Sequence, residues 1–148
     1  MTLTEEINSD FTKALRNKDQ GRLSVLRMLK SAIKNAEIAE KKLLNDSEIT
    51  KIVLREVKQR KDSIESFSSA GRNELAEKER IELNFLEKYL PKQLSESEID
   101  DLIQSSINET GAKSVSEMGK IMANLMPKIA GKADGSTVSK KVRDFLQG

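Results

Sequence analysis

Cysteine, histidine and tryptophan are all absent from this chain of 148 residues. Without cysteine there are no disulfides, thiolate nucleophiles or thiolate metal sites, and without histidine the usual neutral-pH general base and most zinc ligands are gone. The aromatic residues are four Phe and one Tyr. A core therefore has to be aliphatic, and a base-stacking platform of the kind used by single-strand binders is disfavoured. No segment approaches the roughly 20 consecutive apolar residues of a membrane span. Met1-Thr2-Leu3-Thr4-Glu5-Glu6 carries neither a basic leader nor an apolar run, so the expectation is a cytoplasmic protein without membrane contact.

What is present is 36% apolar and 34% charged residues, the balance of a helix-rich protein. Apolar residues recur at spacings of three and four, with no sustained alternation, which predicts an all-α fold. Thr4 is expected to cap a first helix carrying Ile7, Phe11, Ala14 and Leu15 inward. Asp19 caps a second helix that runs to about Lys42, and Asp46 a third that stops at Ala70-Gly71. A fourth starts at Asn73, with Leu75, Ile81, Phe85, Leu86 and Tyr89 inward, and ends at Leu90-Pro91. The boundary is expected in Pro91-Lys92-Gln93-Leu94, giving an N-terminal helical domain of about four helices over 1–94 and a C-terminal three-helix bundle over 95–148. In the second part, Ser95 with Glu98 and Ser114 with Glu117 read as capping boxes. Pro127 is expected to stop the middle helix, and the last helix carries Val138, Val142, Phe145 and Leu146.

Charge is unevenly spread. Residues 95–109 hold five acids and no base, whereas residues 112–143 hold seven bases against Glu117 and Asp134. The basic stretch contains Met118-Gly119-Lys120 and Gly131-Lys132-Ala133-Asp134-Gly135. A glycine inside a helix costs about 1 kcal/mol relative to alanine, so Gly119 suggests close backbone approach, and Gly131 a turn or a close approach. Lys120, Lys128 and Lys132 are the expected contacts for an anionic partner, with Asp134 capping the last helix. A possible second basic surface comprises Arg27, Lys30 and Lys34 on the second helix and Lys51, Arg55 and Lys58 on the third. A sugar-phosphate backbone suits both.

Catalytic chemistry finds no footing. A phosphate-binding P-loop needs two glycines five positions apart followed by Lys and Ser or Thr, but Gly119-Lys120 is followed by Ile121 and Gly131-Lys132 by Ala133. The carboxylates are plentiful without a buried pair to act as acid and base. No catalytic residue, metal site or cofactor is assigned.

Several blocks resemble the GatB/YqeY family: Arg22-Leu23 with Leu26-Arg27-Met28-Leu29-Lys30, Glu56-Val57-Lys58-Gln59-Arg60-Lys61 with Ser63, Ala70-Gly71-Arg72, the run Leu86 to Leu94, and the two Gly-Lys segments. The resemblance implies a stand-alone member with a helical body and a C-terminal unit similar to the tail domain of GatB. That protein is a subunit of the glutamine-dependent amidotransferase that corrects mischarged Glu-tRNA or Asp-tRNA, and its tail engages tRNA. The amidase and the ATP-dependent activating portion have no counterpart in this chain, so carbon-nitrogen ligase activity with glutamine as donor is implied only by association. The expected partner is tRNA, contacted by Gly119, Lys120, Lys128, Gly131 and Lys132. The alternative is an adaptor docking amidotransferase or aminoacyl-tRNA synthetase subunits without touching RNA. GatB tails often have Asn-Pro where this chain has Asp134-Gly135, which keeps the cap and loses the rigid first helical position.

Overall fold

The computed structural model describes residues 1–147. Its elements are α1 (Leu3–Arg16), α2 (Gln20–Glu40), α3 (Asp46–Ser69), α4 (Asn73–Glu87), α5 (Glu96–Thr110), a 3-10 turn (Val115–Glu117), α6 (Met118–Ile129) and α7 (Gly135–Gln147). The fold is all-helical, with no strand among the described residues. The chain forms two compact units, divided between Leu90 and Pro91.

In the first unit, Ile7 and Ala14 of α1, Leu23, Leu26 and Leu29 of α2, Ile49, Val53 and Val57 of α3, and Leu86 with Tyr89 form one buried cluster. Fully burying each such aliphatic side chain is worth roughly 1.5–3 kcal/mol. Leu15, Leu75 and Ile81, expected to face inward, are instead 47, 40 and 46% exposed. Ala76, Leu83 and Leu86 supply the inward face of α4.

The helix starts correct two expectations. Thr2, not Thr4, caps α1, its hydroxyl accepting from Glu5 N while the Glu5 carboxylate accepts from Thr2 N. Asn45, not Asp46, caps α3 in the same reciprocal way with Glu48. The reason is spacing: a capping box needs Glu or Gln three residues on, and the third residue after Thr4 or Asp46 is isoleucine. Asp46 instead accepts from Leu3 N at 3.1 Å, joining the start of α1 to that of α3. At its far end α2 stops at Glu40, where Lys41 turns left-handed with φ 57°.

The second unit is built on Ile99 and Ile103 of α5, Ile121, Leu125 and Ile129 of α6, and Val138 and Val142 of α7. Ser95 and Glu98 form the expected box at α5, and Gly111 ends that helix at φ 68°. Ser114 does not repeat it. Its Oγ lies 2.7 Å from Ser116 Oγ, and the chain winds through the 3-10 turn before α6 begins. Nor does Pro127 stop α6, which continues to Ile129. The ring removes one N–H, but Leu125 and Ile129 on either side are 0 and 1% exposed, and their burial carries the helix past it.

Candidate functional site

Residues 91–94, expected to close the first unit, are tied to the second. Leu94 N donates to Lys132 O at 2.9 Å, and the Gln93 amide donates to Gly131 O at 2.9 Å and to Pro91 O. These bonds clamp the turn after α6. Gly131 has φ 75°, in the left-handed region, and Lys132 N and Ala133 N both return to Ile129 O. The turn itself therefore accounts for Gly131.

Asp134 holds the start of α7. Its Oδ2 accepts from Thr137 N at 3.2 Å, Thr137 Oγ1 at 2.7 Å and Ser136 Oγ at 2.8 Å. The carboxylate already occupies the position that an incoming anion would take at this helix end. A phosphate meeting this corner must therefore be held by side chains.

The lysines of the basic stretch separate into two groups. Lys128 is half-buried and committed, reaching Asn124 Oδ1 at 3.2 Å and Glu109 Oε2 at 3.4 Å. Hydrogen bonds from Asn124 and Lys128 in turn hold the Glu109 carboxyl below its ordinary range. Lys141 is paired with Asp100 at 3.0 Å and Glu96 at 3.5 Å. By contrast Lys113, Lys120, Lys132, Lys140 and Arg143 are exposed and make no ion pair among the described residues. The structure thus leaves Lys120 and Lys132 available and withdraws Lys128 from their company. Gly119 sits in the first turn of α6, where an added Cβ would meet nothing within 4 Å. No packing within the chain requires it.

The first unit distributes its cations differently. Lys30 and Lys34 border a groove of about 350 Å³ between α1 and α2, floored by Ile7 and Ile33, and Lys30 Nζ stands 4.3 Å from the Phe11 ring centroid. Arg27 borders another groove between α2 and α3, of about 420 Å³, together with Met28, Asn35, Glu56, Gln59 and Arg60. Lys51, Arg55 and Lys58 are exposed on α3, away from its buried residues Ile49, Val53 and Val57. The six residues therefore do not all meet in one groove.

Two polar clusters escaped the sequence reading. Asp10, 6% exposed, accepts from Tyr89 OH at 2.6 Å and Lys88 Nζ at 2.9 Å. Burial alone would raise its carboxyl, but these two bonds together with the charges of Lys88 and Lys13 outweigh that and hold it below the ordinary value. The same burial and the adjacent carboxylate push the Tyr89 phenol far above its usual range. Arg60, 4% exposed, lies among Glu82 at 3.1 Å, Glu79 at 3.4 Å and Glu56 at 3.5 Å. Burial, followed by repulsion from Glu82, raises the Glu79 carboxyl. The signal for both was a polar residue on an apolar stripe: Asp10 is three after Ile7 and four before Ala14, and Arg60 three after Val57 and four before Ile64. Among the described residues no group of three or more acidic side chains is placed to hold a metal ion.

A small all-helical scaffold with committed ion pairs and several exposed basic side chains in its second unit is what the geometry defines. Residues 4–146 match the YqeY-like protein family, and the chain belongs to that family. It is 33% identical over 146 residues to "Altered inheritance of mitochondria protein 41, mitochondrial" of Pyrenophora tritici-repentis, covering 95% of this chain and 78% of that one. The proteins of the same name from Lachancea thermotolerans and Saccharomyces cerevisiae (strain YJM789) are 36% and 35% identical, over 70% and 64% of this chain and 57% and 51% of their own. The chain thus matches little more than half the length of these two relatives. Their names correct the cytoplasmic expectation: the curated relatives are mitochondrial proteins, and the first residues of this chain were no guide to compartment. Among the described residues no helix is long and apolar enough to cross a membrane.

Proposed function

We propose that this protein is an accessory factor that binds tRNA through its C-terminal unit and contributes no chemistry of its own. The observation that supports this reading is the division of the cations in that unit. Lys128 and Lys141 are matched by carboxylates, while Lys113, Lys120, Lys132, Lys140 and Arg143 stand exposed with no ion pair among the described residues. Exposed cations without carboxylate partners give salt-sensitive, sequence-independent affinity for a phosphate backbone. Lys132 is held on a clamped turn and Lys120 on the first turn of a helix, so neither main chain needs to be ordered on binding. Gly119 leaves the α6 start open to close approach.

Filter binding of total tRNA across a salt series tests the proposal. Retention at low salt is expected, with log affinity falling against log salt by about 0.7–0.9 for each phosphate contact. The paired change Lys120→Ala with Lys132→Ala shallows that slope. No retention at low salt, or a slope unchanged in the variant, overturns the reading.

The adaptor reading is favoured by a different observation: Met126 and Phe145 of the same unit are 44 and 41% exposed. Large exposed apolar side chains suit a protein partner such as an amidotransferase or synthetase subunit. Nuclease treatment of a co-purified complex separates the two readings, because only an adaptor keeps its protein partner once RNA is digested.

A further inference from the structure

The first unit contains a cleft that the tRNA reading leaves unused. It opens where α1 turns into α2, has a volume of about 260 Å³, and is bordered by Asp10, Lys13, Asn17, Asp19, Arg22 and Lys88. Three cations reach it from three separate segments: Lys13 from the last turn of α1, Arg22 from the first turn of α2, and Lys88 from the end of α4.

Both carboxylates of the cleft are already engaged. Asp10 takes the Lys88 and Tyr89 bonds on one oxygen, which fixes Lys88 from a buried position. Asp19 caps Arg22 N at 3.1 Å with one oxygen and meets Arg22 Nε at 3.4 Å with the other. The Arg22 guanidinium lies 4.5 Å from the Phe85 ring centroid. Its flat face is covered and its outer edge is left as a fork. Lys13 is exposed and makes no ion pair among the described residues. The cleft therefore has one cation more than its carboxylates: Lys13 and the outer edge of the Arg22 guanidinium are its uncommitted donors, Lys88 is shared with Asp10, and Asp10 keeps one oxygen outside these bonds. Three converging cationic arms suit a ligand group with three terminal oxygens, one face taken by the arginine fork. A carboxylate offers only two.

We infer that this cleft binds the terminal phosphate of a phosphomonoester, with Lys13, Arg22 and Lys88 as its three arms. The group is either carried by a small phosphorylated molecule or stands at the end of a nucleic-acid strand. The inference does not rest on the tRNA reading, whose contacts lie in the other unit.

The test is NMR titration of the full chain at constant ionic strength with four probes: inorganic phosphate, glycerol phosphate, a 5′-phosphorylated trinucleotide and the same trinucleotide with a 5′-hydroxyl. Saturable shifts centred on residues 13, 22 and 88 are expected with the first three, and none with the fourth. Lys13→Ala, at an exposed position, should weaken phosphate binding about tenfold through loss of one charge-assisted bond. Lys120→Ala with Lys132→Ala should leave it unchanged. Tighter binding of the phosphorylated trinucleotide assigns the group to a strand end, and tighter binding of glycerol phosphate to a small molecule; either supports the site. Shifts that never saturate and spread over all lysines overturn it, as does wild-type affinity in both Lys13→Ala and Arg22→Gln.

Discussion

The Tyr89 hydroxyl donates to Asp10 Oδ2 at 2.6 Å across 79 positions of sequence. That bond joins the segment closing the first unit to the helix opening it. Tyr89→Phe leaves a buried carboxylate short of a donor and should cost about 1–3 kcal/mol in urea unfolding. The corresponding pH effect has a definite sign. The folded Asp10 carboxyl sits below its ordinary value of 3.8, so its contribution is present above that value and is lost as pH falls through the lower folded one. Tyr89→Phe should shrink this acid-side loss, and stability curves between neutral and strongly acid pH will show whether it does.

Arg60 and its three glutamates behave asymmetrically. Arg60→Met removes the single cation and leaves Glu56, Glu79 and Glu82 facing one another, an expected loss of about 3–5 kcal/mol. Glu79→Gln relieves that crowding and should be neutral or stabilising at neutral pH. Because the folded Glu79 carboxyl is raised above 4.5, folding binds its proton more tightly than the unfolded chain does. Stability from this group is greatest below the unfolded value and declines as pH rises through the folded one. The Glu79→Gln variant should lack that decline, as thermal unfolding at successive pH values can establish.

Gly119 and Gly131 answer differently to the same substitution. Gly119→Ala meets open space on a helix and should stabilise by up to about 1 kcal/mol. Gly131→Ala forces a side chain onto φ 75° and should destabilise by about 1–2 kcal/mol. If Gly119→Ala gains stability yet loses tRNA retention, the missing Cβ serves a ligand. Gain of stability with unchanged retention removes Gly119 from the interface.

Lys128 and Lys132 provide an internal comparison for the tRNA reading. Lys128 is held by Glu109 and Asn124, so Lys128→Ala should alter tRNA affinity less than Lys132→Ala. Equal losses in filter binding would show that the Glu109 pair opens for the ligand.

Periodicity was enough for the helices because it records which side of each one is buried: Ile49, Val53 and Val57 on α3, and Val138 and Val142 on α7, are all enclosed. It failed where two causes compete. Pro127 names a helix stop, but burial of Ile129 outweighs one missing hydrogen bond. Ser114 with Glu117 has the spacing of a capping box, yet the serine hydroxyl is engaged by Ser116. Side-chain commitments across the chain were the least legible. Nothing adjacent in sequence tells that Lys128 belongs to Glu109, or that Asp10 belongs to Tyr89. A lysine count can identify a basic stretch without identifying which members are already neutralised.

The bonds from Gln93 and Leu94 to the Gly131-Lys132 carbonyls set where the molecule can be divided. A fragment beginning at Ser95 would leave both carbonyls without these partners and free the turn that carries Lys132, whereas one beginning at Pro91 retains the strap. Measurements on the C-terminal unit alone would then depend on four residues that lie outside its helices, and a weak ligand response from the shorter fragment would reflect a loosened turn rather than the wrong ligand.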